Sequence, residues 1–344
     1  MSVSRAVCLI LVVGGCGEAK KEETIPDAGG LARLCIDSWA AEPGDLLIYE
    51  EQDLQFLEGV VHAPGDVFFG EVWDDPGEPH GDGQEKPLVF PSLKSVGGNV
   101  CLFGTGASKI VFSALEQISG LRISYNNSAT EIRFDVLRDV EEDLRIIVAI
   151  DRAQIELPVL SAVGGKISLQ SHYTSDVVED MFVHSYVFPS LESAGEIWTW
   201  PVPGFLAPRL VSVDGGVRVD TSDLDLTSLE RAGSATFYRM DNVVTDLPSL
   251  NSVDGWLTFR WLPHLQEISL PQLQSVSGHL ALSDNPVLET IGDLTALQQL
   301  GSIRVRMRGH GHRGAFCAAS RAYQTQRRPL RPRPMRGRDL RDGL

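Results

Sequence analysis

Leu247-Pro248-Ser249-Leu250-Asn251-Ser252-Val253-Asp254-Gly255-Trp256-Leu257 returns 23 residues later as Leu270-Pro271-Gln272-Leu273-Gln274-Ser275-Val276-Ser277-Gly278-His279-Leu280. Self-similarity at a period of about 20 to 30 residues marks a solenoid, in which each unit buries its apolar face only against its neighbours. Following the Val of this phrase outward gives Val96, Ile118, Val140, Val163, Ala194, Val213, Ala232, Val253, Val276 and Leu300. One step, from Val163 to Ala194, is 31 residues long and contains the polar stretch His172 to Met181, which reads as a loop bulging from one rung.

Each unit ends in a short alternating run such as Val217-Arg218-Val219 or Leu257-Thr258-Phe259. Period-two alternation describes a strand with one buried face. Gly98, Gly165, Gly215, Gly255 and Gly278 precede these runs, where a tight corner needs a residue without a clashing Cβ. Helical periodicity is absent outside the N-terminal apolar segment. The expected fold is all-β: a single-stranded, right-handed parallel β-helix, or leucine-rich-repeat-like solenoid, of about ten rungs.

The repeats resemble the receptor L domain, the leucine-rich-repeat-like β-helix of insulin- and EGF-type receptor ectodomains, which also occurs in fungal wall proteins and bacterial lipoproteins. The resemblance covers Asp53 to Val305. It is carried most closely by Phe90-Pro91-Ser92-Leu93-Lys94-Ser95-Val96-Gly97-Gly98 and Leu280-Ala281-Leu282-Ser283-Asp284-Asn285-Pro286-Val287-Leu288. The chain departs from the animal domains in lacking their cysteine-rich modules, transmembrane helix and kinase. The resemblance implies a binding or cell-surface role and carries no catalytic residues.

Residues 1–16 form a second signal. Arg5 supplies positive charge, Ala6 to Val13 an apolar core, and Val13-Gly14-Gly15-Cys16 small residues before a cysteine. The segment is shorter than the roughly 20 residues of a membrane span. Its cysteine placement resembles a bacterial lipobox, which would make Cys16 the lipidated first residue of the mature chain. The alternative is an ordinary signal peptide with an incidental cysteine. Gly17 stands where an Asp would specify inner-membrane retention. Residues 17–30, with Lys20-Lys21-Glu22-Glu23, read as a flexible tether. The expected location is the bacterial cell envelope, at the outer membrane or cell surface, with membrane contact through the lipid alone.

Export permits disulfides. Cys35 and Cys101 are the candidate pair, tying a cap to the first clear rung; the alternative is that Cys101 is simply a small, partly buried residue. Residues 31–72 read as the N-terminal cap with an irregular first rung at Gly65-Asp66-Val67-Phe68-Phe69. Residues 73–87 form an acidic Pro/Gly loop without EF-hand spacing, read as solvated surface rather than a calcium site. No Cys/His set has zinc spacing, so no metal and no cofactor is implied.

The regular solenoid spans residues 88–305, and residues 306–344 differ from it sharply. From Arg304 to Leu344 there are 12 Arg, no Lys and 2 acidic residues, a net charge of +10, which leaves −26 for residues 1–303 of a chain whose total is −16. Such a stretch fits a polyanion-binding arm, an arm folded back on the acidic body, or a frame-shifted reading of GC-rich DNA. The loss of Lys and of the repeat phrase favours a disordered or frame-shifted tail.

Inward Val217, Val219, Leu257 and Phe259 leave the residues between them facing solvent. That register turns Trp198 and Trp200 outward beside Arg218, Asp220, Tyr238, Thr258 and Arg260 on neighbouring rungs. A local shift by one residue would instead bury both tryptophans. Trp198, Trp200, Arg218, Tyr238 and Arg260 form the candidate ligand-binding set, because Trp, Tyr and Arg dominate interface hot spots and aromatic faces suit sugar rings. An enzyme reading needs clustered carboxylates or an activated nucleophile. Outward positions offer Asp220 as their one clear carboxylate, and no phosphate-cradling or dinucleotide motif occurs. Export and an acidic body argue against nucleic acid as partner. The reading is a monomeric, lipid-anchored solenoid, not an enzyme, that binds a protein or glycan or acts as a spacer, with a carbohydrate-active β-helix lyase or hydrolase as runner-up.

Overall fold

The computed structural model describes residues 44–48, 59–70, 87–105, 107–124, 126, 129–148, 154–171, 185–200, 202–240, 244–292 and 294–306. Chain contacts divide the protein into Met1–Ala41 and Glu42–Leu344, and every described residue belongs to the second unit. Cys16, Cys35, Cys317, the bulge at His172 to Met181 and the Arg-rich stretch after Arg306 lie outside the described residues.

Among the described residues the regular elements are all strands, and their pairings are parallel. The repeat phrase sets the register. Val96, Ile118, Val140, Val163, Ala194, Val213, Ala232, Val253, Val276 and Leu300 are successive partners in one ladder, which Ala63 extends by one rung. A bulge follows this column on most rungs, after which the strand resumes with the alternating run. The corner glycines sit at that bulge. A Cβ on Gly278 would lie 2.5 Å from the Gly255 carbonyl oxygen, so the need is close backbone approach rather than left-handed φ.

The structure adds shorter ladders on other sides of the coil. They are Leu88–Phe90 with Lys109–Phe112, Glu131–Phe134 and Gln154–Glu156; Tyr186–Val187 with Val202–Leu206 and the end of Ser212–Asp225; and Val244–Asp246 with Glu267–Ser269 and Thr290–Ile291. More than one strand per turn thus satisfies backbone groups that a one-strand coil would leave to its corners.

Between these ladders lies a continuous core. The Leu of the Pro-x-Leu phrase is buried at Leu93, Leu115, Leu137, Leu160, Leu191, Leu210, Leu229, Leu250 and Leu273. Phe90, Phe112 and Phe134 stack at centroid separations of 4.6 and 4.8 Å, and Phe237 stacks on Phe259 at 5.1 Å. Like residues on successive rungs pack on one another, so each side chain contributes about 1.5–3 kcal/mol of burial. Two buried asparagines staple a corner. Asn126 Oδ1 accepts the Thr105 N–H while its Nδ2 donates to the Leu102 carbonyl; Asn285 does the same with Leu262 and Phe259.

Candidate functional site

Beyond the core, outward side chains of the main sheet form two columns. One runs Phe68, Cys101, Arg122, Arg145, Ser168, Trp198, Arg218, Thr236, Thr258, Ala281 and Arg304. The other runs Gly70, Phe103, Ser124, Ile147, Gln170 and Trp200, then Asp220, Tyr238, Arg260 and Ser283. Both columns change character near Trp198. Phe68, Cys101, Arg122, Ser124, Ile147 and Ser168 are buried despite their outward position. Arg218, Arg260 and Arg304 are exposed, and Thr236, Tyr238 and Thr258 are half-buried.

All five sequence-derived binding residues stand on the open half. Trp198 is half-buried and Trp200 is 38 % exposed, so neither ring enters the core. Thr199 between them points inward and is fully buried, its hydroxyl accepting the Asp220 N–H at 2.8 Å. Trp198 carries Lys166 Nζ 4.2 Å from its ring centre, and Arg218 lies 5.8 and 5.5 Å from the rings of Trp198 and Trp200. Cations at these distances are held by the ring quadrupole. The Trp198 Nε1 is buried without a hydrogen-bond partner.

A second cluster lies two to three rungs further on, and sequence reasoning found only half of it. Tyr238 and Trp261 meet at a centroid separation of 5.1 Å. Arg260 lies 4.3 Å above the Trp261 ring, and Arg239 reaches both Tyr238 and Trp261, at 5.0 and 5.7 Å. Trp261 Nε1 donates to Asp284 Oδ2 at 2.9 Å. Arg239, Trp261 and Asp284 occupy the same place on three successive rungs, just past the strand end, and all three have left-handed backbone, with φ of 52°, 57° and 57°. On an earlier rung the equivalent residue is Gly104, also at φ 57°. An L-residue in this conformation costs about 1–2 kcal/mol. Strain of this kind gathers at functional sites, and here it aims an arginine, an indole and a carboxylate onto one face. The strand register ends one residue earlier, which is why alternation could not find them; the Trp261-Leu262-Pro263 and Asp284-Asn285-Pro286 corners were the available signal.

Asp220 lies between the clusters. It stands at an outward position yet is only 3 % exposed, and its Oδ2 is buried without a partner. Burial raises its pKa to about 6, opposed by the positive charges of Arg239 and Arg218. A further ring pair, Trp256 over His279 at 6.3 Å, flanks the patch, and burial with nearby Arg304 lowers the His279 pKa. Four of the chain's six tryptophans, Trp198, Trp200, Trp256 and Trp261, therefore share one face.

Cys101 is buried and disulfide-bonded; Cys35, its expected partner, is outside the described residues. No group of three or more His, Cys, Asp or Glu is arranged to hold a metal among the described residues. No protein-family model, curated protein or solved structure matches this chain.

Proposed function

We propose that this protein is a lipid-anchored binding protein of the bacterial cell envelope, which recognises a protein or glycan through the open half of its main sheet. The observation that carries this reading is the concentration of four tryptophans, one tyrosine and three arginines on neighbouring rungs of one face, three of the tryptophans being well exposed. Apolar rings of that size are costly to leave in water unless a partner covers them. The resemblance to receptor L domains supports the same role, and the sequence around Cys16 supports a lipid anchor.

Carbohydrate cleavage is the weaker reading. Glycosidases hold two carboxyl groups roughly 5–9.5 Å apart. Asp220 and Asp284 are three rungs apart, which at about 4.8 Å per rung is about 14 Å. Ring platforms without a carboxylate pair favour holding a ligand over cutting it.

A screen of envelope glycans and surface proteins tests the proposal. The unmodified chain should retain a ligand that a Trp198→Ala/Trp200→Ala variant of equal thermal stability releases; equal retention by both would refute the assignment of this face. For the anchor, Cys16→Ser should move the protein from the membrane fraction to the soluble one, and unchanged fractionation would refute lipidation.

A further inference from the structure

The charge on the open face is opposite to that of the body, and this narrows the ligand. Residues 1–303 carry a net charge of −26. Elsewhere on the coil two arginines are ion-paired, Arg133 with Glu131 and Asp135 and Arg209 with Glu192, while among the described residues Arg138 and Arg231 have no carboxylate within ion-pair distance. Among the described residues no carboxylate comes within ion-pair distance of Arg218, Arg239 or Arg260. Each of these guanidinium groups instead lies over an aromatic ring. A guanidinium above a ring keeps its N–H edge free, and that planar fork matches carboxylate, sulfate or phosphate in bidentate geometry.

Resting on the binding role proposed above, we infer that the ligand is an anionic polysaccharide lying along the rung stack. Its acidic groups meet the edges of Arg218, Arg239 and Arg260, and its sugar faces lie on Trp200 and Trp261. Two features favour a glycan over an acidic protein. The Trp200 and Trp261 rings are partly exposed, each with a guanidinium beside it, and the aromatic residues recur along the rungs as sugar units recur along a chain. The Trp198 Nε1 adds a buried, unpartnered donor within the same patch.

Affinity measurements with three soluble polymers separate the possibilities: dextran sulfate, neutral dextran and poly-glutamate. The full chain should bind dextran sulfate, with affinity falling as salt rises, and should bind dextran and poly-glutamate at least tenfold more weakly. Because the Arg-rich stretch after Arg304 attracts polyanions by charge alone, the variants decide. Arg218→Ala/Arg260→Ala and Trp200→Ala/Trp261→Ala, each with that stretch intact, should each weaken dextran sulfate binding at least tenfold. Unchanged binding by either variant, or no binding of dextran sulfate at all, overturns the inference. Poly-glutamate bound as tightly as dextran sulfate overturns it in favour of an acidic protein. Dextran bound equally well overturns the anionic ligand while leaving the binding role of the face standing. Should the tryptophan variant lose its fold, Trp200→Phe/Trp261→Phe keeps the platforms and should restore the affinity.

Discussion

The pair of outward columns, taken as one strip, is written in two chemistries. In its first rungs it carries Phe68, Cys101, Phe103 and Ile147 beside Arg122 and Ser124, and all of these but Phe103 are buried although they point away from the core. From Trp198 onward it reads Trp200, Arg218, Tyr238, Thr258 and Arg260, and it is open. One backbone register thus serves two ends. In the first half the outward residues, Arg122 among them, are covered; in the second half most of the aromatic and cationic ones stand open. Shape is common to both halves, so function follows from what the outward positions carry.

The contrast can be broken most strongly by placing one charge in each half. Ile147→Asp buries a carboxylate and should cost about 3–5 kcal/mol, seen as a large fall in melting temperature or loss of folding. Thr258→Asp, at an outward position of the open half, should change stability by no more than about 0.5 kcal/mol. Similar losses for both would mean that the halves do not differ in this way.

Asp220 sharpens the boundary between them. Its pKa rises from 3.8 to about 6 on folding, so between those pH values the native state holds a proton that the unfolded state has lost. Stability therefore falls as pH rises through that window, by up to about 3 kcal/mol. Asp220→Asn should remove this slope and raise the melting temperature at pH 7; an unchanged slope in urea titrations at pH 4.5 and 7 would contradict the assignment. Arg239→Gly should separate stability from binding. It releases left-handed strain worth about 1 kcal/mol, so the variant should be at least as stable as the parent while holding ligand more weakly. The smallest effect expected is on affinity. Protonating Asp220 removes a negative charge beside Arg218 and Arg239, so an anionic ligand should bind a few-fold more tightly at pH 5.5 than at 7.5, and Asp220→Asn should flatten that dependence.

Most of the solenoid was legible because burial enforces it. Val253 and Val276 are fully buried partners in the ladder that their phrase implies, and the alternation of Leu257-Thr258-Phe259 sorts inward from outward. The outward placement of Trp198 and Trp200 follows from the same parity. Elsewhere parity gives direction without exposure: Asp220 points outward and is nonetheless buried, close enough to Arg239 and Arg218 to feel their charges. Arg239 and Trp261 were hidden for another reason. They lie beyond the strand end, where period two stops and a left-handed residue swings its side chain back onto the face. The short ladder from Leu88 to Glu156 was also missed, since three- and four-residue strands leave too little alternation to read.

The most direct test uses the tryptophans themselves. In a Trp39→Phe/Trp73→Phe background only the four indoles of the open face remain to emit. Titration with dextran sulfate should then produce a saturable change in tryptophan emission, with a midpoint matching the affinity measured independently and shifted at least tenfold by Arg218→Ala/Arg260→Ala. Binding that leaves the emission of all four indoles unchanged would contradict the account, since the ligand would then sit somewhere other than this face.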